Sequence, residues 1–367
     1  MSCIKNIKLI IPVLACAALC FFIFGCGSVT GGGGGGGGGL SHLLPCISYY
    51  DAANGALKYA EWTGTTWEVA TVETGNVGQY TSLALDSSGN PRISYYDVGN
   101  TALKYAKWTG SSWTTETVDY TGDVGQYTSL ALDSSGNPRI SYYDVSNQDL
   151  KYAKWTGTTW TIEAVDTSLI GGYTSLALDK NNRPHISYYH AFGWLKYASW
   201  EGSSWDIQAV DTSGGVGQYT SLALDANEMP HISYLDYNTY DLKYATTEGA
   251  GWDIQTVDSA GLTGYYSSLV LDSNGRPHIG YGTDDNLRYA KWTGSPSWEL
   301  ETADDPLNVV GQQISMTLDC NGYPKISHYD NNNAALKYTK WTGTSWESET
   351  VDETSSDVGM YTSIKLK

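Results

Sequence analysis

The chain repeats itself, and the repeat limits its fold more than any other feature does. A proline recurs at Pro45, Pro91, Pro138, Pro184, Pro230, Pro277 and Pro324, at spacings of 46 or 47 residues. Behind it comes a version of Arg-Ile-Ser-Tyr-Tyr-Asp, as at 92–97, then a short polar loop and Leu-Lys-Tyr-Ala-Lys-Trp-Thr-Gly, as at 103–110. Ser-Ser-Trp-Thr-Thr-Glu-Thr-Val-Asp follows at 111–119, then a glycine-rich loop and Tyr-Thr-Ser-Leu-Ala-Leu-Asp at 127–133. A Ser-Ser-Gly-Asn turn leads to the next proline.

Each unit reads as four short strands rich in Tyr, Trp, Thr, Val and Ile, bounded by Gly, Asn, Asp and Ser turns. We label them A (Tyr-Thr-Ser-Leu-Ala-Leu), B (Ile-Ser-Tyr-Tyr), C (Leu-Lys-Tyr-Ala) and D (Trp to Val). No stretch sustains a helical period. Four strands per repeat of this length predict an all-β, seven-bladed β-propeller over 45–367. The first repeat has no strand A, and the chain ends in one, Tyr361 to Leu366. The C-terminal strand A therefore joins the N-terminal strands B, C and D in one blade, leaving no open sheet edge. The recurring Trp and Tyr are expected to pack between blades.

The N-terminus reads as an address rather than a fold element. Lys5 and Lys8 precede an apolar run that ends at Ile23-Phe24-Gly25-Cys26. This resembles a bacterial lipoprotein signal, which implies a cleaved segment 1–25 and lipidation of Cys26. Val13-Leu14-Ala15-Cys16 fits the same pattern behind a shorter run. A plain cleaved signal and a retained membrane helix are the alternatives. By the same resemblance Gly27 implies the outer membrane or cell surface, with secreted or periplasmic as alternatives. Nine glycines at 31–39 place a flexible tether over 26–44. Two cysteines remain, Cys46 and Cys320, which an oxidising compartment would let pair. The formal charge of −18 disfavours nucleic acid and anionic headgroups as partners.

The segment Leu-Asp-Ser-Ser-Gly-Asn-Pro-Arg-Ile-Ser-Tyr-Tyr-Asp resembles the propeller repeats of bacterial secreted and surface proteins. Those are broadly similar to sialidase-like and fucose-lectin-like propellers. The sialidase Asp-box is not matched, since no Trp follows the turn. A sialidase would also need converging arginines. Arg92, Arg139, Arg183 and Arg276 sit beside the recurring proline and Arg288 at the strand-C lysine, so they spread around a ring. His185, His231 and His278 recur in the same way. No metal, phosphate-loop or hydrolase motif appears. No cofactor is expected, although the loop Asp330-Asn331-Asn332-Asn333 is a candidate for Ca2+.

A site is therefore sought where the repeat breaks. The fourth B–C loop reads His190-Ala-Phe192-Gly-Trp194, with a His where other loops carry Asp and the only Phe beyond the leader. The next B–C loop adds Asp236, Tyr237 and Tyr240, and Tyr265 enters the following strand A. These residues are expected to cluster on one face, beside a mouth lined by Gln79, Gln126, Gln218 and Gln312. Exposed aromatic platforms suit sugar rings and also protein partners. The expectation is a monomeric, non-catalytic, membrane-tethered binding protein for a glycan or small ligand. The alternatives are an adhesion or envelope-assembly scaffold and a glycan hydrolase or lyase.

Overall fold

The computed structural model describes residues 43–247, 251–294, 297–304 and 310–367. The signal segment, Cys26 and most of the tether lie outside the described residues. The described residues form 28 strands in seven four-stranded antiparallel sheets. Blade one joins β28 (Val358–Leu366) to β1 (Pro45–Asp51), β2 (Ala56–Trp62) and β3 (Trp67–Thr74). Blade two runs from β4 (Val77–Leu85) to β7 (Trp113–Asp119), and blade three from β8 (Val124–Leu132) to β11 (Trp160–Asp166). Blade four runs from β12 (Ile170–Leu178) to β15 (Trp205–Asp211), and blade five from β16 (Val216–Leu224) to β19 (Trp252–Asp258). Blade six runs from β20 (Tyr265–Leu271) to β23 (Ser297–Asp304), and blade seven from β24 (Val310–Leu318) to β27 (Trp346–Asp352). The closure read from the repeat is present: Pro45 pairs with Leu366, Ile47 with Ile364 and Ser48 with Ser363.

The repeated aromatics hold neighbouring blades together. The strand-D Trp of one blade meets the strand-C Tyr of the blade before it edge-on, as Trp113 meets Tyr59 at 5.4 Å and Trp160 meets Tyr105 at 5.6 Å. The same contact closes the circle where Trp67 meets Tyr338 at 5.4 Å. Such pairs add to the burial of large apolar area. Glycine is required where strand A starts. A Cβ on Gly78 would sit 2.8 Å from Leu57 Cα, and its φ is +111°.

The inner strands carry a second seam. Ser82 Oγ accepts from Leu130 N at 3.0 Å, and the equivalent bond recurs at Ser129, Ser175, Ser221, Ser268 and Ser315. It satisfies a backbone donor on the innermost strand, which has a partner strand on one side only.

The pairing of Cys46 with Cys320 is not formed. Cys46 is a free, fully buried thiol on β1 whose Sγ approaches Lys365 O at 3.6 Å. Cys320 lies on the exposed turn after β24. Burial pushes the Cys46 thiol up to about 11, so it stays neutral.

Candidate functional site

The B–C turns and the D–A loops share one face, where they hydrogen-bond to one another, as Val98 N does to Asn76 O at 3.0 Å. In the common form of the B–C turn, the Asp ending strand B caps the turn. Asp97 accepts from Asn100 N and Nδ2, both at 2.9 Å. Asp330 is used likewise by Asn332 and Asn333, so the acid proposed for Ca2+ closes its own turn. Among the described residues, no group of three or more His, Cys, Asp or Glu side chains is placed to hold a metal.

Blade four departs from this form. His190 pairs with Trp194 across the hairpin, and Gly193, at φ +80°, closes the turn. His190 is only 2 % exposed. Burial, aided by Lys196, holds its pKa below the usual histidine value. Its Nδ1 accepts from Phe192 N at 3.2 Å. The imidazole stacks on Trp194 at 5.3 Å and 17°, and Phe192 leans on both rings at 5.1 and 5.8 Å. Phe192 itself is 63 % exposed.

Blade five carries the second group. Tyr237, 48 % exposed, meets Tyr240 at 5.2 Å, and Tyr240 stacks on Tyr265 at 6.1 Å and 26°. Asp236 is buried, with its carboxylate taken by Lys243 at 3.0 Å and Asn238 N at 3.1 Å. The seven candidates thus form two aromatic groups, each with one strongly exposed ring. His190 and Asp236 support these groups from below, while Trp194, Tyr240 and Tyr265 are half-buried. The Gly214–Gly215 backbone lies between the groups. Tyr237 N donates to Gly215 O at 2.8 Å, Val216 N to Gly193 O at 3.0 Å, and Asn238 Nδ2 to Gly214 O. These bonds hold the two hairpins in a set relation.

One group of residues escaped the sequence reading. The strand-A tyrosines do not pack between blades. Tyr80, Tyr127, Tyr173, Tyr219, Tyr266 and Tyr361 line the central axis at φ of +52° to +54°, on a bulge between the paired positions Gln79 and Ser82. Neighbouring rings lie 4.4 to 4.7 Å apart. Gln313 takes the seventh place, and its Oε1 accepts from Tyr361 N. The ring borders a well of about 210 Å³. Left-handed φ at a non-glycine residue costs about 1–3 kcal/mol and persists only where packing enforces it. The sequence clue was a Tyr at one fixed place in the repeat, but the same residue type also packs between blades. Burial first, then the adjacent phenols, pushes the Tyr80 hydroxyl far up, so the axis is neutral.

The buried carboxylates of this face are committed to the scaffold. Asp166 accepts from Tyr188 Oη and Lys196 Nζ, both at 2.7 Å. Burial alone would raise its pKa, yet Lys196, Ser168 and Tyr188 hold it down to about 2. Such an acid is a poor proton shuttle. Arg92, Arg139 and Arg183 pair with the Asp of their own A–B turns at 2.6 to 2.7 Å, and Arg288 with Asp258 at 2.5 Å.

No protein-family model and no curated protein matches the chain. Solved structures do match. AofleA from Arthrobotrys oligospora superposes with a TM-score of 0.53 at 16% identity, over 74% of this chain and 85% of that one. Aleuria aurantia lectin, described as a six-bladed β-propeller with a novel fucose recognition mode, gives 0.50 at 13% identity, over 75% and 95%. The periplasmic gluconolactonase PpgL of Pseudomonas aeruginosa gives 0.58 at 12% identity, over 89% and 99%. At these identities the likeness is one of fold. Both a lectin and an enzyme share it, so function rests on this chain's own side chains.

Proposed function

We propose that the propeller head binds carbohydrate without catalysis, and that the chain carrying it is exported and lipid-anchored through Cys26. One observation carries the binding reading. Phe192 and Tyr237, on adjacent hairpins that both break the repeat, present exposed rings on one face across a hydrogen-bonded glycine backbone. Aromatic faces stack on the C–H surfaces of pyranose rings, and loop amides and hydroxyls serve their hydroxyl groups. The Aleuria aurantia lectin named above is in keeping with such a role on this architecture.

A glycan array probed with the wild-type head and with Phe192→Ala and Tyr237→Ala tests the reading. We expect a defined set of glycans bound by the wild type and lost in both variants. A blank array with a folded wild-type head would sink it and favour a protein partner, which a pull-down with the same variants would reveal. Incorporation of labelled palmitate into the wild type, lost in Cys26→Ser, tests the anchor.

A further inference from the structure

A second break in the repeat lies on the opposite face. At the end of strand C every blade but the fifth carries a Trp, as Trp62, Trp108, Trp155, Trp200, Trp292 and Trp341 do. Each rests on the strand-D Trp of its own blade at 5.2 to 5.5 Å. In blade five the residue is Thr247. Where the indole is missing, a cleft of about 450 Å³ opens between blades five and six. Asp225, Met229, His231, Thr247, Arg276 and Trp292 are among its walls.

The charges at this cleft also depart from the repeat. In other blades the A–B turn Asp faces a cationic or imidazole partner. Asp86 has Arg92 at 2.7 Å, Asp133 has Arg139 at 2.6 Å, Asp179 has Arg183 at 2.6 Å, Asp319 has Lys325 at 3.2 Å and Asp272 has His278 at 3.8 Å. Asp225 has no ion pair this close among the described residues, and the imidazole of His231 is the neighbour whose charged form it favours. Its Oδ1 takes the backbone N–H of Asn227 and Met229 at 2.8 Å, and its Oδ2 has only Asn227 Nδ2 at 3.4 Å. Arg276 occupies the pre-proline place of Arg183, but its guanidinium makes no ion pair or hydrogen bond with any described residue. The two turns face each other closely, since a Cβ on Gly275 would lie 3.8 Å from Asp225 Cβ. His231 Nδ1 and Tyr244 Oη share a hydrogen bond, and His231, unlike His185 and His278, is only partly buried.

One space therefore holds a guanidinium without an ion pair, a carboxylate whose Oδ2 has only one long hydrogen bond, and apolar walls from Met229, Pro277 and Trp292. We propose that it is a second binding site, for a zwitterionic α-amino acid with an aromatic or large apolar side chain. Arg276 takes the ligand carboxylate, a pairing that guanidinium geometry favours. Asp225 Oδ2 takes the ammonium, and Trp292 and Met229 take the side chain in the place of the absent indole. The ligand must carry both charges, because an anion alone would meet Asp225 and a cation alone would meet Arg276. The inference is independent of the glycan reading, since it uses other residues on the other face.

The test is calorimetric titration of the wild-type head with L-phenylalanine, 3-phenylpropanoate and phenethylamine. We expect saturable binding of phenylalanine and at least about tenfold weaker binding of each single-charge analogue. Arg276→Ala and Asp225→Asn should weaken phenylalanine binding by a similar factor. Asn at 225 keeps the acceptor that holds the turn. Thr247→Trp restores the repeat, fills the cleft and should abolish binding while the melting temperature stays level or rises. Absence of saturable phenylalanine binding by the wild type, analogues as tight as phenylalanine, or unchanged binding by Thr247→Trp would each overturn the proposal. The glycan array with Thr247→Trp should match the wild type, which keeps failure of one site distinct from failure of the other.

Discussion

Ser363, in the last strand of the chain, accepts a hydrogen bond through its Oγ from Leu83 N in the second blade at 3.0 Å. It is the same bond that Ser82 Oγ accepts from Leu130 N within the chain. The junction between blade one, which holds both the first and the last strand, and blade two is built like every other blade junction. Ser363→Ala strands a backbone donor near the axis and should lower stability by about 1–3 kcal/mol. Ser82→Ala should do the same. Urea denaturation of both variants checks this, and a Ser363→Ala midpoint equal to the wild type would count against it.

The Tyr338–Trp67 contact at 5.4 Å joins blade seven to blade one. Trp67 Nε1 also donates to Glu349 Oε1 at 3.1 Å. Trp67→Ala removes both and should cost about 3 kcal/mol, in the range of large aromatic truncations. Trp67→Phe keeps the edge contact and should recover part of the loss. The same denaturation series measures both.

Acid should weaken the fold through its buried imidazoles. Burial, the largest influence, pulls His278 from 6.5 down to about 4. Between those values the unfolded chain binds a proton that the folded one refuses. Stability from this group is therefore full above about pH 6.5 and falls as pH drops towards 4, where the loss is complete. His278→Gln lacks the titration. Its deficit against the wild type should be largest at pH 7.5 and should shrink by pH 4.5, read from paired thermal melts. A constant deficit would refute the assignment.

At the loop face, Phe192→Ala and Tyr237→Ala should each weaken glycan binding by about tenfold or more, as loss of a central aromatic contact does. Both rings are largely exposed, so melting temperatures should move little. His190→Asp restores the repeat residue and a carboxylate for Lys196. It should leave stability level or higher while removing the stack beneath Phe192, so binding should fall. Glycan titration alongside melting separates the two effects.

Much of the architecture was legible in the residues. The spacing of the prolines, the four strand patterns and the orphan strand A at Tyr361 to Leu366 determined the blade count and the closure, because a period-two pattern has few ways to bury itself. The sequence also pointed to the two loops whose aromatics meet on one face. It could not rank those aromatics. Phe192 and His190 are two residues apart, yet one is exposed and the other buried, because the imidazole lies stacked on Trp194 and bonded to the backbone at Ser168 of the preceding loop. Residue type alone also misplaced the strand-A tyrosines. A bulge turns Tyr80 to a left-handed φ and towards the axis, and the chain adopts it only because seven inner strands crowd one axis. Cys46 kept its thiol for the same kind of reason, since β28 and β2 enclose it on either side. Periodicity settled which strands exist and in what order; the packing of one blade on the next decided which way each side chain faces and which remain open to a ligand.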